Sequence, residues 1–113
     1  MSSELQIAQF QFTQNVAKLI EHIYDSNFLC TLGEVYRTKE QAEWYAAKGI
    51  GIKNSLHCQR LAIDINLFDR NEEYLTDGKA YEQFGIFWEN LHPDNVWGGR
   101  WKKGDFGHFH RSQ

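Results

Sequence analysis

The sequence predicts an α+β domain, a small antiparallel sheet packed with about three helices. Three observations carry this. Leu5, Ala8, Phe12, Val16, Leu19 and Ile23 recur at helical spacing, and so do Tyr81, Phe84, Trp88 and Leu91. Leu61, Ile63, Ile65 and Leu67 alternate with Ala62, Asp64, Asn66 and Phe68, a strand pattern. The segments also lack the strand–helix–strand rhythm of a parallel sheet. At 113 residues the chain is expected to be one domain, 1–113. Its 42% hydrophobic and 15% aromatic content excludes disorder and lets a single core form without a staple.

The elements follow in order. Residues 3–25 read as one amphipathic helix. Residues 28–36, Phe-Leu-Cys-Thr-Leu-Gly-Glu-Val-Tyr, read as a strand with a glycine interruption. Thr38 followed by Lys-Glu-Gln fits an N-cap with Gln41 three residues on; a short helix then runs to Lys48 and is stopped by Gly49. Residues 49–54 form a polar, glycine-containing loop. In the strand at 61–68, period two sets four aliphatics on one face and Asp64 with Asn66 on the other. Residues 72–76 add an edge strand before an Asp77-Gly78 turn. The third helix ends at His92-Pro93, and the glycine-broken stretches 96–101 and 106–110 read as further strands of the same sheet. Trp44 and Trp88 hold helical core positions. Core packing is also expected for Trp97 and Trp101, with cleft lining the alternative beside the glycines.

Charge and composition exclude several function classes. Lys and Arg number 12 against 15 Asp and Glu, a net charge of −3 with no basic block, so no nucleic-acid partner is expected. No apolar run approaches the roughly 20 residues that spanning a bilayer needs. The N-terminal Met-Ser-Ser-Glu-Leu-Gln lacks the pattern of a signal sequence. Cys30 and Cys58 are too few for a disulfide framework. A soluble cytosolic domain without stable membrane association, and a monomer, is the expectation.

Asp64 lies between two isoleucines of the best strand. A carboxylate there is costly to bury unless a cation or several donors compensate it; a surface-facing strand acid is the alternative. His57 precedes it by seven residues, where the loop enters the strand. His108 lies near the C-terminus, with Asp105 three residues before and His110 two after. Two neutral imidazoles and one carboxylate are a recognised catalytic zinc set that leaves the fourth position to water, and a further carboxylate serves as general base. His22 and His92 read as ordinary polar side chains.

Ser55-Leu56-His57 followed by Leu61-Ala62-Ile63-Asp64 resembles the Ser-x-His-x-x-Gly-x-Ala-x-Asp motif of the D-Ala-D-Ala carboxypeptidase family of VanY-like zinc peptidases. That family takes in vancomycin-resistance D,D-peptidases and bacteriophage L-alanyl-D-glutamate endolysins. Asp105-Phe106-Gly107-His108-Phe109 is similar to its closing motif. Val35-Tyr36-Arg37-Thr38 resembles its Gly-Tyr-Arg segment, and Trp97-Gly98-Gly99 its Trp-Gly step. The likeness runs in order from about residue 30 to 110, and the wording Leu-Ala-Ile-Asp-Ile-Asn-Leu-Phe looks most like the phage branch.

The resemblance implies a Hedgehog/DD-peptidase-like fold with Zn2+ bound by His57, Asp64 and His108. It implies Asp105 as general base, Arg37 as the group that steadies substrate carboxylate or oxyanion charge, and Ser55 as a supporting polar contact. Arg60 departs from the motif glycine, and Gly-Glu-Val-Tyr-Arg from the usual Ser-Gly-Tyr-Arg. His110 stands where the family often has Glu or Gln, either beside a ligand or as an alternative one. Cys58, next to His57, reads as a small buried hydrophobe. The implied activity is cleavage of peptidoglycan stem peptides at the L-Ala–D-Glu bond in phage or prophage lysis. The enzyme would then stay in the cytoplasm of the infected or lysogenic host until released to the wall. The alternatives are a D-Ala–D-Ala peptidase and a non-catalytic, zinc-stabilised wall-binding or morphogenesis module.

Overall fold

The computed structural model describes residues 3–51 and 55–113. Helix α1 (Glu4–Asp25) opens at Ser3, whose hydroxyl accepts from the Gln6 amide at 3.1 Å. Ala8, Phe12, Leu19 and Ile23 of its apolar stripe are buried, as the spacing requires. Strand β1 is shorter than expected, Leu29–Leu32, because the chain leaves regular pairing at Gly33. Helix α2 (Lys39–Ala47) starts at the expected cap, with Thr38 Oγ1 accepting from the Gln41 amide. Of the loop expected at 49–54, residues 52–54 lie outside the described residues.

Strand β2 (Ala62–Phe68) organises the sheet. The order is β1, β2, β5 (His108–Arg111) and β4 (Asn95–Trp97), with β3 (Tyr74–Leu75) also pairing β2. The C-terminal half of β2 pairs antiparallel with β1, Ile65 opposite Leu32. Its N-terminal half pairs antiparallel with β5 (His108–Arg111), Asp64 opposite His108. The change of partner falls between Asp64 and Ile65. There the Asp64 amide donates to the Glu34 carbonyl at 2.9 Å, and the Ile65 amide to that of Gly107 at 2.8 Å. Asp64 is thereby tied to both neighbouring segments.

One expected turn is a helix cap, and two expected strands are shorter. The Asp77-Gly78 pair is not a turn: Asp77 caps α3 (Gly78–Leu91) by accepting from the Ala80 amide at 3.0 Å. Strand β4 covers only Asn95–Trp97, and Gly98–Arg100 tighten into a 3-10 turn. Residues 106 and 107 lead into β5 without joining it. Helices α1 and α3 cover one sheet face, where Phe12, Leu19, Tyr81, Phe84 and Trp88 pack with Leu61, Ile63, Ile65, Leu67 and Phe109. The opposite face carries Asp64, His108 and His110. Among the described residues no helix is long and apolar enough to cross a membrane.

Candidate metal centre and active site

His57 is set by a short 3-10 turn, Leu56–Gln59. Ser55 caps it: its buried hydroxyl accepts from the His57 amide at 3.2 Å. The turn closes on Arg60 in the left-handed region, φ 57° and ψ 38°, and this is where the resembled motif has glycine. Arg60 holds that conformation with its guanidinium 4.1 Å from the Tyr36 ring centre.

From this turn His57 Nε2 reaches to 3.5 Å from Asp64 Oδ1, and His108 Nδ1 approaches the same oxygen at 3.3 Å. His57, Asp64 and His108 each offer a ligand atom, all within 4.8 Å of one another. Strand register explains the second pair, since residues directly opposite in an antiparallel ladder project from one face. Burial pushes the Asp64 carboxyl up, but hydrogen bonds from His108 and His57 and their positive charge together outweigh it, leaving a pKa of about 2. A carboxylate held ionised between two imidazoles is a donor set that suits zinc. His57 Nδ1 is also buried without a hydrogen-bond partner, which marks a ring placed for its other nitrogen.

His108 turns its remaining nitrogen, Nε2, to His110 Nδ1 at 2.7 Å, and His110 Nε2 lies 3.3 Å from Ser112 Oγ. Burial, followed by the charge of His108 and His57, lowers the His110 pKa to about 4. A neutral His110 can therefore accept from His108. His110 stands beside a member of the donor set and outside the set itself.

A groove of about 320 Å³ opens over these residues. Arg37, Ser55, His57, Asp64, Asp105 and His108 all line it, so every sequence-predicted site residue meets in one place. Arg37 contacts the Glu34 carboxylate, lies over the Tyr45 ring at 5.1 Å, and donates its backbone amide to the His57 carbonyl. Asp105 is held by the Gly98 carbonyl, which accepts the Asp105 amide at 3.0 Å. The Asp105 carbonyl in turn accepts the His108 amide at 3.2 Å. A Cβ at residue 98 would sit 2.7 Å from that Asp105 oxygen, so glycine permits the approach. Burial raises the Asp105 pKa and Asp64 adds to the rise, against the opposing charge of His108 and His57.

The expectations for Trp101, Trp44 and Cys58 are corrected. Trp101 lines the groove 4.9 Å from the His108 ring and is not a core residue. Trp44 is exposed, because α2 buries only Ala42. Trp88 and Trp97 are core, Trp97 donating through Nε1 to the Phe106 carbonyl at 2.8 Å. Cys58 is half-buried, with Sγ 3.8 Å from the Thr38 carbonyl. His22 stacks on Phe87 and His92 accepts from the Asp94 amide, both away from the site. Glu34 was missed: a lone glutamate after a strand gives no periodic signal, and only the departure from Ser-Gly-Tyr-Arg pointed to it.

A His–Asp–His donor set beside a further carboxylate, on one face of an antiparallel sheet backed by helices, defines the class: a metallopeptidase. The chain belongs to the D-alanyl-D-alanine carboxypeptidase family, whose model matches residues 49–111. In structure it is similar to the L-Ala D-Glu endopeptidase ChiX of Serratia marcescens, with a TM-score of 0.70 and 15% identity over 99% of this chain and 89% of that one. It is also similar to a mutant of the vancomycin resistance D,D-pentapeptidase VanY, from a VanB-type cassette and in complex with Zn(II). There the TM-score is 0.61, with 15% identity over 88% of this chain and 70% of that one. No curated protein matches in sequence.

Proposed function

We propose that this protein is a zinc-dependent peptidoglycan peptidase that cleaves stem peptides at the L-Ala–D-Glu bond. The observation that carries the choice of bond is the shape around Asp64 and Asp105. These two residues line the groove described above and also a second one of about 280 Å³, which Asn66, Tyr74, Thr76 and Tyr81 line as well. Groove space on two sides of the acid pair supports a bond inside a chain, whereas a D,D-dipeptidase needs a closed end around a free carboxylate. ChiX, an L-Ala D-Glu endopeptidase, supports the same choice through its likeness over 99% of this chain.

In this reading His57, Asp64 and His108 hold the zinc. When bound, the metal supplies Lewis acidity, activating water and polarising the scissile carbonyl. Asp105, on the groove wall, takes the proton of the attacking water and returns it to the leaving amine. Arg37 offers a planar fork to a stem carboxylate or to developing oxyanion charge. Ser55 holds the turn that aims His57. The lysis role in phage or prophage, with release from the host cytoplasm, is part of this proposal and is supported by the motif wording in β2.

The test is a synthetic stem peptide containing both L-Ala–D-Glu and D-Ala–D-Ala bonds. Cleavage at the first with the second intact is expected. Cleavage confined to the second moves the protein to the D,D-peptidase branch.

A further inference from the structure

We infer that Glu34 is a positioning residue, its carboxylate holding both the zinc ligand His57 and the substrate-facing Arg37. The inference rests on the reading of His57, Asp64 and His108 as metal ligands. Glu34 Oε1 and His57 Nδ1 are both buried, and His57 Nδ1 has no hydrogen-bond partner. The two atoms face each other at 3.7 Å, slightly beyond a hydrogen bond. On its other side the same oxygen contacts the Arg37 guanidinium.

The chemistry of the ring makes this pairing directional. His57 turns Nε2 toward Asp64 and the other ligand atoms. An imidazole that gives its Nε2 lone pair to a metal must carry its proton on Nδ1, and that N–H then needs an acceptor. Glu34 Oε1 is the carboxylate oxygen facing it. Such an outer partner fixes the tautomer and ring orientation and makes the ligand more basic. Closing 3.7 Å to hydrogen-bond distance takes a shift of under about 1 Å.

The backbone holds Glu34 in place for this. Its carbonyl accepts the Asp64 amide, and the Gly33 amide donates back to the Asp64 carbonyl at 2.7 Å. Glu34 therefore moves with Asp64, a second ligand. The Arg37 amide bonds to the His57 carbonyl, so the loop returns to the ligand turn three residues on. One carboxylate thus joins the metal side of the site to the arginine that meets substrate.

The experiment is zinc affinity of the purified full chain, by competition with a chromophoric chelator and without any peptide substrate. Glu34→Ala is expected to weaken zinc binding about 10- to 100-fold, the usual effect of losing an outer partner. Glu34→Gln, which keeps an acceptor and loses the charge, is expected to fall between Ala and wild type. Cobalt-substituted Glu34→Ala should also show a shifted visible spectrum, because the His57 ring is no longer held. Wild-type affinity and spectrum in folded Glu34→Ala overturn the inference. If that variant does not fold, wild-type affinity in Glu34→Gln overturns it. Absence of zinc binding by the wild-type chain overturns the ligand reading itself, and the inference with it.

Discussion

His108 and His110 stand 2.7 Å apart, Nε2 to Nδ1, while His108 keeps its other nitrogen on Asp64. In the proposed site His108 is the ligand and His110 its neighbour. His108→Ala should remove most bound zinc, as should His57→Ala and Asp64→Ala. His110→Ala should keep zinc with an affinity lower by about 10- to 100-fold. Metal analysis and chelator competition check both. Full zinc retention in His108→Ala, with loss in His110→Ala, contradicts the assignment.

Asp105 is separate from the three donors, and its substitution should divide binding from chemistry. Asp105→Ala is expected to keep zinc and fold while turnover drops about 10²- to 10⁴-fold. A base works only when ionised, so the rate of the zinc-loaded protein should fall as pH falls through the Asp105 pKa, and that acid limb should be lost in Asp105→Ala. Wild-type turnover in Asp105→Asn removes the residue from the mechanism.

Asp64 gives the metal-free protein an acid-sensitive component of stability. Its folded pKa of about 2 lies below the unfolded value of about 3.9. The contribution is complete above about pH 4 and is lost as pH falls toward 2. Asp64→Asn should flatten that limb in denaturant unfolding measured across this range. An unchanged limb contradicts the pairing.

Arg60 occupies the left-handed conformation at a cost of about 1 kcal/mol relative to glycine, partly offset by its stacking on Tyr36. Arg60→Gly loses the stacking and the strain together and should stay within about 0.5 kcal/mol of wild type. Arg60→Ala keeps the strain and should be less stable than Arg60→Gly by about 1 kcal/mol. Equal stability of the two variants in chemical unfolding rejects this account of the turn.

Much of this was legible in residue order. Alternation at 61–68 put Asp64 on the face away from the aliphatics, and the structure places it there opposite His108. The Thr38 and Gln41 cap was visible because capping is local. What escaped depends on contacts distant in sequence. Trp101 reads as a core aromatic until the Gly98 turn swings it over His108. The strand expected at 96–101 ends at Trp97, because Gly98 accepts from both Trp101 and Asp105. Asp77-Gly78 reads equally as hairpin turn or helix cap, and only the packing of α3 decides. Glu34 gains meaning only when β1, Asp64 and the His57 turn meet.

The most direct measurement is mass spectrometry of fragments released from purified cross-linked peptidoglycan, with and without a chelator. Stems beginning at D-Glu are expected, with little free D-alanine, and chelation should abolish them. D-Alanine release without new D-Glu amino termini contradicts the bond assignment. Neither product, from folded and zinc-loaded protein, contradicts the peptidase account and leaves a wall-binding module.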